Sequence, residues 1–183
     1  MSFVPRNFVM FKPPIVTRGV SKLLFVDSTK YLGHYLSSDL SDDVDIKNQL
    51  KQFCIRSNTI IRSFACCTPQ VKSFLFKSFC GNFYSMPLWC NAKVSTLNRI
   101  RVCYNNGFRL LHRLDWRCSA SQMFVSNHVR SFREIQRRIA YSFLTSLNCH
   151  PNKLMNLTTS ASIARKSKIQ TSCRKLLYIN CIL

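Results

Sequence analysis

Two adjacent carboxylates, Asp42 and Asp43, come closest in type and spacing to a catalytic metal site in this 183-residue chain. Paired carboxylates can hold the two metal ions of phosphoryl-transfer chemistry. These two, however, stand between Ser41 and Val44 in a polar segment before a predicted helix, and not in an apolar hairpin. Acidic and hydroxyl side chains at such a place are typical of helix capping and of charges that complement the helix dipole. We therefore predict a capping role for this segment.

Ten cysteines and four histidines raise the question of metal or disulfide chemistry. The sequence contains no C-x-x-C pair, the spacing that zinc sites use. It opens with no charged segment followed by a long apolar run and contains no run of about 18 apolar residues, so we expect neither a secretory leader nor a membrane span. We predict reduced thiols, no cofactor, and a cytoplasmic or nuclear location rather than secretion. Without a phosphate-binding glycine loop or a nucleophile motif, we expect no catalysis from the isolated chain.

Cationic charge is the strongest chemical signal. The formal net charge is +20, and residues 46–183 carry all of it, with 22 Lys and Arg against Asp115 and Glu134. Because 46% of the chain is hydrophobic, it can build a core and still present a basic surface. Such a body is typical of proteins that bind nucleic acid, since each neutralised phosphate releases counterions. The candidate phosphate contacts on predicted helices are Lys47, Lys51, Arg56, Arg62, Lys72, Arg99, Arg101, Arg109 and Arg113.

The elements that position these side chains are mainly helical, because four Gly and six Pro are too few for a loop-rich or all-β fold. The fold class predicted is α+β: mainly α, with a short β segment at the N-terminus. We divide the chain into β strands over 1–36, an acidic capping loop over 37–45, a basic helical region over 46–150 and a polar basic tail over 151–183. Within the first part, strands are predicted at 7–11, 22–26 and 30–36, with a turn at 27–29.

Apolar spacing predicts the helices of the basic region. The first, over 43–65, has a stripe formed by Ile46, Leu50, Phe53, Ile60, Ile61 and Phe64. The second starts at Thr68–Pro69, is ended or bent by Pro87, and has a stripe formed by Val71, Phe74, Leu75, Phe79 and Phe83. The third is capped by Ser95 or Thr96 and runs to about Leu114, with its arginines outside the apolar stripe. Ser119 and Ser131 open two more, and the tail is predicted to hold a short helix or to stay mobile.

An ordered series of short motifs resembles one protein family. Residues 30–36 read Lys-Tyr-Leu-Gly-His-Tyr-Leu, and an acidic loop then leads to Asp45-Ile46-x-x-Gln49. The further pieces are Arg56-x-Asn58, Arg62-x-Phe64, the segment from Val71 to Cys80, Tyr84, Leu88-Trp89 and Arg101-Val102-x-Tyr104-Asn105. Together, over about residues 7–145, they resemble the end of the palm, the thumb and the post-thumb helices of non-LTR (LINE-type) retrotransposon reverse transcriptases.

The resemblance implies a C-terminal part of an RNA-directed DNA polymerase that binds RNA, DNA or an RNA–DNA hybrid. A Tyr-Leu-Gly hairpin would lie near the primer 3′ end, with contacts from Lys30, Tyr31, Leu32 and Gly33. The magnesium-binding carboxylates of the parent enzyme precede the segment that residues 7–11 resemble, so we expect this chain to lack them. The missing palm and fingers portion is then a further possible partner.

Other interpretations stay open at this point. Gly33 and Tyr31 fit a strand bulge and a core ring as well as a primer contact. The chain also fits an independent basic module that binds RNA or DNA, with its first 36 residues packed on the helices. A surface that binds anionic lipid is a third interpretation, and a retroelement remnant without function is a fourth.

Overall fold

The computed structural model describes residues 17–18, 21–22, 26–89, 92–149, 151 and 168–178. Helices predominate there and follow two antiparallel β-hairpins, which confirms the predicted mainly α class with a short N-terminal β segment. The strands are β1 (Thr17–Arg18), β2 (Ser21–Lys22), β3 (Ser28–Tyr31) and β4 (His34–Ser37). The helices are α1 (Asp43–Ser63), α2 (Pro69–Cys80), α3 (Val94–His112), α4 (Ala120–Ser126), α5 (Phe132–Asn148) and α6 (Lys168–Tyr178). The strand predicted at 7–11 lies outside the described residues.

The second hairpin corrects the predicted strand at 30–36 and the turn at 27–29. Its turn lies at Leu32 and Gly33. Ser28 and Thr29 instead belong to β3 and pair with Ser37 and Leu36 of β4. Both turn residues have positive φ, 47° and 83°, as a tight hairpin turn requires. The turn lies within the Tyr-Leu-Gly segment that the family resemblance placed in a hairpin. Turn residue types alone pointed to 27–29 instead, because a leucine is uncommon at positive φ.

The centre of the fold is an aromatic cluster between α1, α2 and α3. Phe53, Phe76, Tyr104 and Phe108 are almost fully buried, and neighbouring rings of this set lie with centroids 5.0 to 6.3 Å apart. Phe83, just after α2, stacks on Phe53 at 6.1 Å. Edge-to-face and offset ring pairs add stabilisation beyond the buried area. The predicted stripe of the first helix is confirmed except at Phe64, which is exposed just beyond α1. The apolar stripe of the third helix is buried at Ile100, Tyr104, Phe108 and Leu111.

α1 and α3 run side by side in the same direction. The hydroxyl of Thr96, in the first turn of α3, donates to the carboxylate of Asp43, in the first turn of α1, over 3.1 Å. Further along, Gly107 of α3 lies so close to α1 that a Cβ there would be 2.8 Å from Ser57 Oγ and 3.0 Å from Phe53 Cζ. The absent side chain therefore sets the helix spacing, and the N-terminal ends of both helices lie together.

The buried face of α2 is opposite to the one predicted. Val71, Phe74 and Phe79 are 43%, 67% and 53% exposed, whereas Phe76 and Cys80 are buried. The helix also ends at Cys80, well before Pro87, which lies in a separate 3-10 turn at Met86–Leu88. Leu75 is only partly buried against the core. The predicted stripe was thus right for Phe83, which is buried, and wrong for Val71, Phe74 and Phe79, which leave an apolar face of α2 open.

The remaining helices extend this bundle. The predicted starts at Ser119 and Ser131 are confirmed, and Ser131 forms a reciprocal capping box with Glu134. α3 begins at Val94, so neither Ser95 nor Thr96 caps it. α6, in the predicted tail, packs against α5, and its Cys173 thiol lies 3.9 Å from the Pro87 carbonyl oxygen. Among the helices described, none has the length and apolar character needed to cross a membrane.

Candidate nucleic-acid interface

A groove of about 480 Å³ lies between α1 and the start of α3. Three of the nine predicted phosphate contacts line it, namely Lys47, Lys51 and Arg99. Lys93, the residue before α3, adds a fourth cation, and Asp43 is the one carboxylate among the described residues of the lining. The groove is therefore strongly cationic, and we call it the α1–α3 groove.

The N-terminal end of α3 strengthens the positive potential of this groove. A helix N-terminus carries unpaired N–H groups and the positive end of the dipole, which together favour phosphate. The first turn of α3 contains no acidic residue that would neutralise this end. Lys93 Nζ lies 3.6 Å from Asp43 Oδ2, and the lysine side chain is 58% exposed. Ion pairs this open contribute little, so an incoming phosphate can compete for the lysine.

Four of the remaining predicted phosphate contacts lie elsewhere on the bundle. Arg62 and Arg113 are exposed at the C-terminal ends of α1 and α3, away from the groove. Arg56 is half-buried and its Nε donates to the carbonyl oxygen of Gln52 over 3.3 Å. Arg101 is also half-buried. The nine predicted cations thus do not form one continuous surface.

Arg109 has a structural position that the sequence did not indicate. Its guanidinium donates to the carbonyl oxygen of Cys118 over 2.9 Å and to Asn106 Oδ1 over 3.1 Å. These bonds tie the end of α3 to the loop before α4. We therefore no longer expect Arg109 to be a main phosphate contact.

Lys72, the last predicted contact, is half-buried beside His112 at the other end of the bundle. Burial, with a smaller effect of the Lys72 charge, lowers the pKa of His112 below its ordinary value of 6.5. Ser73 Oγ lies 3.2 Å from His112 Nε2, within hydrogen-bonding distance. Lys72 and His112 are therefore partly buried in the packing between α2 and α3 and only partly open to solvent.

We predict that this histidine makes stability depend on pH. His112 has a higher pKa in the unfolded chain than in the folded chain. As the pH falls below about 6.5, the unfolded chain therefore takes up the proton first, and the free energy of unfolding decreases until the pH reaches the folded-state pKa. In urea titrations between pH 7.5 and 5, His112→Gln should show a smaller loss of stability than the unmodified chain. His128→Gln, at an exposed site, is the control. An unchanged pH dependence in His112→Gln would contradict the prediction.

The hairpin residues form a second exposed surface. Tyr31 and Leu32 are 63% and 76% exposed, and the ring of Tyr84 packs against Gly33, where a Cβ would lie 3.8 Å from the ring. Lys30 Nζ lies 5.9 Å from the centroid of the Tyr35 ring. The structure therefore gathers the predicted primer contacts at one open turn beside an aromatic ring.

The acidic segment before α1 contributes hydrogen bonds and charge at the start of that helix. The hydroxyl of Ser41 accepts from the Asp43 N–H over 3.3 Å, and Asp42 occupies the N-cap position without a capping hydrogen bond from its side chain. Asp43 and Asp45 lie in the first turn, where they complement the dipole as predicted. In the described part of the chain, no three His, Cys, Asp or Glu residues group as metal ligands would.

Asp45 is a buried acceptor that the sequence analysis missed. Its carboxylate, fully buried, accepts from the Tyr35 N–H over 3.1 Å, the Ser85 hydroxyl over 2.5 Å and the Trp89 indole N–H over 2.8 Å. His34 Nδ1 lies 3.1 Å from Asp45 Oδ2. These partners come from β4 and from the segment after α2, so the carboxylate joins the hairpin to the helical core.

No protein-family model, curated protein or solved structure matches the chain. The functional conclusion therefore depends on the α1–α3 groove and on the exposed hairpin turn. Lys93 is the groove cation that the sequence analysis omitted. Its signal was its place directly before an apolar periodic segment, where a helix N-terminus favours anions.

Proposed function

We propose that this chain binds the sugar–phosphate backbone of RNA, DNA or an RNA–DNA hybrid through the α1–α3 groove, without selecting base sequence. The observation that carries the proposal is the convergence of Lys47, Lys51, Lys93 and Arg99 on one groove at the N-terminal ends of two parallel helices. Lysine and arginine contacts to phosphate position a protein on nucleic acid but carry no sequence information. Binding of this kind weakens steeply with salt.

The parent protein we propose is a non-LTR retrotransposon reverse transcriptase, of which this chain would be the thumb and post-thumb region. The ordered motifs support this origin, and so does a strand hairpin followed directly by a basic helical bundle. The exposed turn formed by Tyr31, Leu32 and Gly33 has the access that a primer contact requires. Magnesium would belong to the catalytic part of the parent enzyme, and the backbone binding proposed for the groove needs no metal.

One observation favours a second candidate, an independent basic module that binds RNA or DNA. The hairpin is joined to the helices through buried Asp45, so this part of the chain has a core of its own. Both candidates use the same groove, and they differ in whether another polypeptide covers the open face of α2.

The open face of α2 supplies a surface for such a polypeptide in the first candidate. Val71, Phe74 and Phe79 are exposed on it. Exposed apolar patches on a protein surface often mark sites of protein–protein contact. The palm and fingers portion of the parent enzyme is the neighbour that this origin implies. In the second candidate, the same face would remain open.

A salt titration tests the proposal. We expect the full chain to bind a 20-base-pair hybrid or duplex, with the logarithm of affinity falling against the logarithm of salt at a slope of about −3 to −4 if four groove cations contact phosphates. Fluorescence anisotropy with labelled duplexes of two unrelated sequences measures both affinity and sequence tolerance. Absence of binding, or binding that salt leaves unchanged, would contradict the proposal. Binding to phosphatidylserine vesicles without binding to nucleic acid would favour the lipid interpretation instead.

A further inference from the structure

A second cavity, of about 600 Å³, lies on another side of the bundle. It is bounded by the end of α2, the α4–α5 loop and one face of α5, and it shares no described lining residue with the α1–α3 groove. Its lining residues on α5 recur at three- and four-residue spacing from Ile135 to Ser146. The cavity therefore runs along about three turns of that helix. Cavities of about 300–1,000 Å³ are the usual size for small organic ligands.

The charged side chains in the described lining of this cavity are all basic. Lys77, Arg130 and Arg138 line it, together with His128 and with no carboxylate among the described residues of the lining. After Asp45 the sequence contains only two acidic residues, Asp115 and Glu134, so the segments of the chain outside the described ranges contain no Asp or Glu. Glu134 accepts from the Ser131 N–H over 2.8 Å in the capping box of α5. The cations of the cavity consequently have no carboxylate partner in its lining.

Much of the apolar part of the lining lies on α5, the helix that also carries Arg138. Ile135, Ile139 and Phe143 from α5 contribute aliphatic and aromatic surface, and Ser142 and Ser146 place hydroxyl groups on the same helix face. A site that combines three cations with aliphatic and aromatic surface fits an anion that carries a flat, partly apolar body. A lipid chain would instead need a continuous apolar channel, which the serines interrupt.

The loop that carries two of the basic residues is fixed by hydrogen bonds. The Tyr104 hydroxyl donates to the Arg130 carbonyl oxygen over 3.0 Å, and the Val129 N–H donates to the Phe124 carbonyl oxygen over 2.9 Å. His128 adopts a φ of 51°, the left-handed conformation that turns the chain from α4 toward α5. A loop held in this way lowers the ordering cost of ligand binding.

We propose that this cavity binds a nucleotide, with the phosphate held by Arg130, Arg138 and Lys77 and the base placed against Ile139 and Phe143. The arginine fork matches the geometry of phosphate oxygens, and Ser142 and Ser146 offer partners for the edges of a base or sugar. The nucleotide is either free in solution or the terminal residue of a strand. Because the two sites share no described lining residue, the proposal does not depend on the function proposed for the α1–α3 groove.

A binding experiment on the full chain tests this site. The probe is adenosine 5′-monophosphate with a fluorescent label on the ribose, and saturable binding is expected at or below about 1 mM. The variant Arg130→Gln/Arg138→Gln should bind the probe at least about tenfold more weakly, because it loses two charge-assisted contacts. Arg133→Gln, an exposed arginine of α5 outside the lining, is the matched control and should bind within about twofold of the unmodified chain.

Competition separates a nucleotide site from a site for charge alone. Inorganic phosphate should displace the probe at least about tenfold less effectively than unlabelled adenosine monophosphate, and Phe143→Ala should weaken the nucleotide but not phosphate. The same competition is repeated with a variant whose α1–α3 groove has lost its charges. If a short oligonucleotide displaces the probe from this variant, the natural ligand is the end of a strand. If only mononucleotides displace it, the natural ligand is a free nucleotide. No saturable binding, equal binding by the double variant, or equal competition by inorganic phosphate would overturn the proposal.

Discussion

Replacement of Lys47, Lys51 and Arg99 by glutamine is expected to weaken binding to a nucleic-acid duplex by about 100-fold near 0.15 M salt. Each lost phosphate contact removes one released counterion, so the slope of log affinity against log salt should become shallower by about 2 to 3. Glutamine keeps the length and polarity of the side chains while it removes three charges from one groove. Fluorescence anisotropy over a salt series measures both quantities.

A matched variant distinguishes an effect of the groove on affinity from an effect of the overall net charge. Arg117, Arg133 and Arg174 are exposed and lie outside the described lining of the groove, and their replacement by glutamine lowers the net charge equally. We expect this control to lose less than about fivefold in affinity, because only long-range attraction changes. Equal losses in the two triple variants would mean that binding is diffuse over the surface, and the α1–α3 groove would then have no special role.

The groove was partly predictable from the sequence. Lys47 and Lys51 follow from helical spacing, because they lie on the side of α1 away from its buried stripe. Arg99 belongs to the same groove only because α1 and α3 pack side by side in parallel. The close approach of the two helices at Gly107 makes this packing possible. Periodicity within one helix carries no information about its neighbour, so the sequence could identify these cations but could not group them.

The error on α2 has a similar physical origin. This helix has apolar residues on two opposite sides, with Phe74 and Phe79 on one and Phe76 and Cys80 on the other. The stripe containing Phe74 and Phe79 was predicted from its apolar spacing, which both sides of the helix satisfy in part. The buried side is instead the one with Ser73, Phe76 and Cys80, and the Phe76 ring packs against those of Phe53 and Tyr104. Neighbouring helices decide between two apolar sides, and periodicity does not.

Asp45 was beyond sequence reasoning because its partners are distant in the chain. Capping and dipole arguments use residues within a few positions, and they correctly placed acidic charge in the first turn of α1. The hydroxyl of Ser85 and the indole of Trp89, however, lie 40 and 44 residues further along. Only the folded chain shows that one of several similar aspartates is fully buried.

Asp45→Asn is expected to lower the free energy of unfolding by about 3 kcal/mol or more, because a buried ionic acceptor is removed while its donors stay buried. The carboxamide has nearly the volume of the carboxylate, but its NH2 group cannot accept from Ser85 or Trp89. Asp43→Asn, in the same helical turn but partly exposed, should cost less than about 1 kcal/mol. Urea titrations followed by far-UV circular dichroism give both values. Equal stability of the two variants would mean that the hairpin is held by apolar packing and not by this carboxylate.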